Sequence, residues 1–370
     1  MAASTYVVIA RVVCLVTLAS LALALAPKTQ LPERLQPYLH LINHTYFERA
    51  HSELVLRGEW QLWKRSHNKR YPTDRRDMER FAVWKSNKVY IDYHNQFKNV
   101  FGYNLAMNQF GDLSAEEYLY YTKCIDGAHY LDPNKHLAWV SFFDPEEFAN
   151  TSQPVEINWR SQGIVSDVKN QGRCRSCYAF AITGALESMN ALATKKIVQL
   201  SEQNIVDCSI PYGNRGCSGG SRLSSLMYII DSGGLDTETT YPYFARQSLC
   251  QFSFSGSTSA CTGMVRIHRG MESDLETAVG LVGPVTVGID SKHYSFQFYQ
   301  DGIYDEPECS SENLTHTLLV VGYGTDEYGK DYWLLKNSWG KSWGKDGYIK
   351  MTRNSNNQCG IASQALFPLL

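Results

Sequence analysis

The stretch Gln171-Gly172-Arg173-Cys174-Arg175-Ser176-Cys177-Tyr178-Ala179-Phe180 constrains this chain more than any other. Two cysteines stand three apart, and the second opens an apolar, small-residue run through Ala181 and Ile182. A segment apolar on every side reads as a buried helix beginning near Ser176, around which a core must be built. A thiol in the first turn of such a helix faces unpaired backbone N–H groups and the positive end of the helix dipole. Both favour thiolate over thiol. Cys177 is therefore placed to be a nucleophile if a base can reach it.

At 370 residues the chain is too long for one small core, and two or three packed units are expected. The formal charge of −2 argues against nucleic acid as a partner. Residues 57–88 are locally basic, with ten Lys/Arg against four Asp/Glu. That run reads either as a solvated helix face or as a surface that docks on the more acidic C-terminal part. Val12 to Ala26 is apolar, follows Arg11 and ends in Ala-x-Ala possibilities before Pro27 and Lys28. It is short for a membrane span and predicts a cleaved secretory signal over residues 1–26, with no stable membrane anchor elsewhere. Sequons at Asn43, Asn150 and Asn313 fit that route to a lysosome or the extracellular space. Of the ten cysteines, Cys14 leaves with the signal, Cys124 stands alone, and eight lie between Cys174 and Cys359. Disulfides are expected in this compartment. Setting Cys177 aside as a free nucleophile leaves an odd number, so one more is unpaired or paired with Cys124.

Leu54, Trp60, Trp63, Phe81, Trp84, Val89, Tyr90 and Ile91 recur at helical spacing among charges. Tyr71-Pro72-Thr73-Asp74 breaks the pattern, with Thr73 or Asp74 as the cap of a second helix. Residues 101–112 alternate and suggest a short strand, while 125–153 look extended. Beyond Trp159 the chain predicts helices at about 177–193 and near 222–232. Strand-like runs follow at Pro284–Ile289, Thr317–Tyr323 and Tyr332–Lys336. Helices first and strands later give an α+β arrangement. His316 opens one buried-strand pattern and Asn337 follows another, so two strand ends can present a base and its orienting amide to Cys177.

In their order and spacing, several segments resemble the papain family of cysteine proteases, in its cathepsin L-like branch. They are Gln171 with Cys174 to Tyr178, Leu200-Ser201-Glu202-Gln203, Val206-Asp207-Cys208, and Gly216-Cys217-Ser218-Gly219-Gly220. Further on come His316 with Val320 to Gly324, Asn337-Ser338-Trp339-Gly340, and Cys359-Gly360-Ile361-Ala362. His316 and Asn337 lie 139 and 160 residues beyond Cys177, against about 130–150 in that family. Upstream, Arg80, Trp84, Asn87, Ile91 and Asn95, then Ala106, Asn108, Phe110 and Asp112, follow the family's propeptide patterns.

The resemblance implies a papain-like two-lobed fold, a helical left lobe and a β-barrel-like right lobe, preceded by a helical propeptide domain. It implies an inhibitory propeptide over 27–152, helical at about 55–112, and a peptidase domain over 153–370. Cys177 would attack the peptide carbonyl, His316 would pair with it, Asn337 would orient the imidazole under Trp339, and Gln171 would donate to the oxyanion. Gly219 and Gly220 would let an extended substrate approach. It also implies the disulfides Cys174–Cys217, Cys208–Cys250 and Cys309–Cys359. That leaves Cys261 as a buried free thiol, or bonded to Cys124 or to another chain. No metal or cofactor is implied. The partners would be protein or peptide substrates, the chain's own propeptide and cystatin-like inhibitors, with the enzyme a monomer.

The chain departs from the family pattern at identifiable places. Arg175 replaces the usual glycine and would narrow the S1 side or favour acidic groups. Thr315 and Thr317 flank His316, and Thr317 would crowd S2. Ser221, Arg222 and Gln364 predict a polar S2, while Gly288 stands where a small residue is usual. Arg76 stands where the propeptide pattern has Glu. Residues 113–150 would run through the cleft against the substrate direction. Acid would loosen them by protonating carboxylates such as Asp112, with cleavage near Asn150–Pro154 below about pH 5.5. The leading reading is a secreted or lysosomal endopeptidase made as a zymogen. The alternative is a catalytically impaired papain-like binding or matrix module, and an inhibitor resembling a free propeptide would use only the N-terminal third.

Overall fold

The computed structural model describes residues 52–124, 139–254 and 257–370. The expected signal at 1–26, the sequon at Asn43 and residues 125–138 of the expected cleft-spanning segment lie outside these. Two compact units are present, one of residues up to 96 with 111–113, the other of 97–110 with 114–370.

The first unit is built on helices α1 (Glu53–Ser66) and α2 (Asp74–Gln96). Leu56, Trp60 and Trp63 fall on one face of α1, and Phe81, Trp84 and Ile91 on one face of α2. Trp60 stacks on Trp63 at 5.1 Å and on Tyr71 at 5.7 Å between ring centroids. The α2 start expected at Thr73 or Asp74 is capped by Thr73, whose Oγ1 accepts from the Arg76 N–H at 3.2 Å. Arg76 itself pairs with Glu79 at the surface.

Residues 111–113 return to α2 and satisfy its buried polar groups. Arg80 Nη1 donates to the Asp112 carbonyl at 2.8 Å, and Asn87 Nδ2 donates to the carbonyls of Gly111 and Leu113. The Asp112 carboxylate accepts from Lys69 Nζ at 2.6 Å and from the Tyr71 hydroxyl at 2.8 Å. These buried pairings explain why polar residues occupy the inward face of a helix.

The second unit is organised by α4 (Cys177–Thr194), the helix read from the small apolar run. Before it come strand β1 (Tyr103–Leu105), helix α3 (Ala115–Thr122), and strands β2 (Val140–Phe142) and β3 (Ile157–Asn158). The alternation at 101–112 yields only the three-residue β1, because Asn108 turns the chain, its Nδ2 on the Gln297 carbonyl and its Oδ1 on the Phe110 N–H. Tyr178, Ile182 and Leu186 of α4 pack with Ile205 and Val206 of α5 (Glu202–Cys208) and Leu226, Met227 and Ile229 of α6 (Arg222–Ser232).

The other face of α4 meets the sheet. Strands β4 (Leu235–Asp236) and β5 (Ser257–Thr258) form a separate pair. Strand β6 (Gly263–Arg266) and helix α7 (Glu272–Leu281) follow, then β7 (Val285–Ile289), β8 (Tyr299–Tyr304), β9 (His316–Thr325), β10 (Asp331–Lys336), β11 (Tyr348–Thr352) and β12 (Leu366–Leu369). The sheet order is β1-β8-β11-β10-β9-β7-β12-β6-β2, with β3 also on β9. Both end strands, β1 and β2, come from the segment expected to be propeptide. Gly184 lets α4 close on β9, since a Cβ there would stand 3.1 Å from Leu319 Cδ2. Among the described residues no helix is long and apolar enough to cross a membrane.

Candidate active site

The site lies where the N-terminus of α4 meets the start of β9 and the end of β10, all within the second unit. Cys177 is the first residue of α4, with Ser176 as its N-cap. His316 opens β9 and Asn337 follows the last residue of β10. β9 and β10 are antiparallel neighbours, with Leu319 opposite Lys336, so the start of one lies beside the end of the other. His316 Nε2 donates to Asn337 Oδ1 at 2.8 Å. The indole of Trp339 stacks on the imidazole with centroids 4.4 Å apart, covering that hydrogen bond. A ring nitrogen of His316 and the sulfurs of Cys177 and Cys124 lie within 4.8 Å of one another.

His316 is fully buried. Burial lowers its pKa to about 4, against the hydrogen bonds to Asn337 and the Thr122 carbonyl that favour the protonated ring. In this form of the chain the imidazole is neutral. Gln171 is buried, its Nε2 donating to the Cys174 carbonyl at 2.9 Å and its Oε1 accepting from Ser338 Oγ at 2.7 Å. One amide N–H of Gln171 is left over, since the NH₂ carries two donors.

The cysteine pattern corrects one expectation. Cys177 does not face an open cleft: its sulfur lies directly against that of Cys124, with Cα atoms 6.0 Å apart. Cys174 is bonded to Cys217, Cys208 to Cys250, and Cys309 to Cys359. Cys261 is free and buried, and burial pushes its thiol up to about 11. The odd count in the sequence signalled an unusual cysteine, but nothing in the irregular segment around Cys124 indicated its partner.

The segment carrying Cys124 occupies the cleft residues. The Cys124 N–H donates to the Thr315 carbonyl at 3.0 Å, and its carbonyl accepts from the Gly220 N–H at 3.0 Å. At Gly219, φ is +106°, and a Cβ would stand 2.7 Å from the Cys124 carbonyl oxygen. Thr317 is buried, pairs with Gly288 across β9 and β7, and holds its Oγ1 3.7 Å from Cys124 Sγ.

Arg175 does not stand ready for an acidic group. Its guanidinium lies 5.2 Å from the ring centre of Tyr120, and Arg173 lies 5.4 Å from Tyr121. Those two tyrosines, at the end of α3, were not anticipated. On the other side, Phe110 and Tyr118 meet Trp339 edge-on at 5.1 and 5.8 Å.

The residues expected to shape S2 divide in two. Ser221 is chiefly a helix cap, its Oγ accepting from the Ser224 N–H. Arg222 is buried, reaching Thr286 Oγ1 at 3.3 Å and Gln364 Oε1 at 3.5 Å. Burial, with Arg266 nearby, lowers its pKa to about 9, and no described carboxylate pairs with it. Asn150 and Asn313 are exposed.

Residues 153–369 match the family described as papain family cysteine protease, and residues 60–118 match the cathepsin propeptide inhibitor domain (I29). A silicatein of Petrosia ficiformis is 47% identical over 84% of this chain and 94% of its own length. A cathepsin L-like peptidase of Aedes aegypti is 44% identical over 85% and 94%. The structure of digestive procathepsin L 3 from Tenebrio molitor larval midgut superposes with a TM-score of 0.78 at 39% identity. That match covers 85% of this chain and 99% of the other.

Proposed function

As the chain belongs to the cathepsin L-type branch of the papain family and is a cysteine endopeptidase made as a proenzyme, we propose that Cys177, His316, Asn337 and Gln171 carry its chemistry. The observation that carries the reading is the bond from His316 Nε2 to Asn337 Oδ1, which turns the other ring nitrogen toward the cysteine at the head of α4.

Once the cleft is open and Cys177 is a free thiol, its proton passes to His316 and a thiolate–imidazolium pair forms. The thiolate attacks the peptide carbonyl carbon. The oxyanion accepts from the Cys177 backbone N–H and from the spare N–H of Gln171. The His316 proton goes to the leaving amine, giving a thioester on Cys177. Water then attacks the thioester, giving up a proton to His316, and the acid product leaves. Trp339 excludes water from the His316–Asn337 bond, which keeps the imidazole in one orientation.

An extended substrate takes the backbone positions that Cys124 occupies, with the Gly220 N–H as donor and the Thr315 carbonyl as acceptor. Arg222 and Gln364 make S2 polar, with Gly288 and Thr317 facing each other across β7 and β9. The unpaired guanidinium favours an acidic or polar P2 side chain.

The domains run as a signal at 1–26, a propeptide at 27–152 and the peptidase at 153–370, with cleavage near Asn150–Pro154. The propeptide inhibits its own peptidase domain through the cleft. Entry to the secretory pathway, with lysosomal or extracellular delivery, is supported by the apolar leader and the disulfides. The enzyme is a monomer, open to cystatin-like inhibitors.

The test is labelling of the reduced, acid-treated protein with a thiol-directed peptide epoxide. One label per chain at Cys177, absent in His316→Ala, is expected. An unlabelled wild type would assign the chain to the binding-module alternative.

A further inference from the structure

Cys124 is held over Cys177 by contacts that do not depend on its sulfur. Its backbone is tied to both lips of the cleft, at Thr315 and Gly220. Helix α3, two residues upstream, is fixed at its start by a capping box of Ser114 and Glu117. Its middle is anchored by the Tyr118 hydroxyl on the Ser291 carbonyl at 2.9 Å, and its end by the Arg175–Tyr120 and Arg173–Tyr121 contacts. The Cα separation of 6.0 Å falls within the range disulfides use. The two sulfurs are thus brought together without backbone movement.

From this we infer that Cys124 is a redox latch, a propeptide cysteine that closes the zymogen by a reversible disulfide to the nucleophile Cys177. This rests on the reading of Cys177 as the nucleophile. The latch closes when a thiolate of the pair attacks a small-molecule or protein disulfide, RSSR, and releases one RSH. The second cysteine then displaces the remaining RS group, giving the Cys124–Cys177 bond and a second RSH. Two thiols are oxidised and one disulfide is reduced.

Opening runs in reverse and consumes two thiols. The thiolate at the head of α4 is the better leaving group, so the incoming thiolate is directed to the Cys124 sulfur. Cys177 leaves as the thiolate, and a second RSH resolves the mixed disulfide on Cys124. Both sulfurs are buried, so the reductant gains access only after the cleft loosens. Cleavage of the backbone near residues 150–154 does not by itself free the enzyme, because the propeptide stays covalently on Cys177.

The full-length proenzyme is purified without reductant and blocked with an alkylating agent. Non-reducing peptide mass spectrometry is expected to find the Cys124–Cys177 cross-link. At pH 4.5, epoxide labelling of wild type should be at least tenfold lower without glutathione than with it. Cys124→Ser and Cys124→Ala, checked for folding by circular dichroism, should label equally in both conditions.

Recovery of both cysteines as alkylated thiols would overturn the latch. So would a variant that still needs glutathione, or a wild type labelled equally in both conditions. If a divalent cation bridged Cys124, Cys177 and His316 instead, chelator alone would release labelling, which also overturns it. If neither reduced wild type nor the variants label, Cys177 is not the nucleophile and the latch falls with that reading.

Discussion

The pH response of the closed form can be worked from His316. Its imidazole goes from the ordinary 6.5 of a solvated ring to about 4 when buried. Between those values the unfolded or opened chain binds more protons than the closed one, so acid favours opening. The stabilising contribution is complete above about pH 6.5, falls as pH drops, and is gone below about pH 4. The full difference is about 3 kcal/mol, of which about 2 kcal/mol is lost by pH 5. That corresponds to a rise of about thirtyfold in the unfolded population.

The assay uses Cys124→Ser/Cys177→Ala, which removes both the latch and the thiolate from the titration, compared with the same protein carrying His316→Gln. Urea unfolding from pH 7 to 4 should give a steeper loss of stability with His316 present, the gap closing by about 2 kcal/mol at pH 5. The imidazole, followed directly by nuclear magnetic resonance, should titrate well below 6.5. Parallel stability curves, or a His316 that titrates at 6.5 or above, would refute the reasoning.

Gln171→Ala should lower kcat about a hundredfold, or about 2.7 kcal/mol, with little change in KM, measured on a fluorogenic peptide after reduction and acid activation. Arg222→Leu should cut kcat/KM for a P2 Asp or Glu substrate by about tenfold or more and raise that for P2 Leu, read from a P2 peptide library. A wild type that rejects polar P2 residues would remove the basis for that reading of S2. Asp112→Asn leaves the Lys69 ammonium without its counter-charge. It should destabilise the helical propeptide unit by about 1–3 kcal/mol, seen as faster acid processing at pH 6.

The places in the fold of the three proposed catalytic residues were legible because they depend on local patterns. His316 and Asn337 sit at the ends of strands whose apolar runs are continuous, and Cys177 heads a helix whose small residues announce burial. Helix α5 was not legible as a helix. It is seven residues long, and its polar residues are all buried, with Asn204 on the Tyr228 hydroxyl and Asp207 on the Tyr241 hydroxyl. Such a segment reads as a loop until its distant partners are known. Cys124 was hidden for the same reason, since its neighbours show no periodicity and its contacts lie at three distant places, Cys177, Gly219–Gly220 and Thr315–Thr317. Arg222 was anticipated as a polar S2 residue, but not its burial, which only the reach of its side chain from α6 to Thr286 on β7 defines.

The sheet's two outermost strands, β1 and β2, both lie upstream of the expected cleavage site. Cleavage at that site would remove a border from each side of the sheet, leaving β8 and β6 with unpaired backbone edges. While the chain folds, those edges are occupied and closed to other chains. Edges exposed in that way are the kind that accept an added strand. The propeptide thus acts as hemming for the sheet as well as a stopper for the cleft. Its loss exchanges protection against aggregation for access.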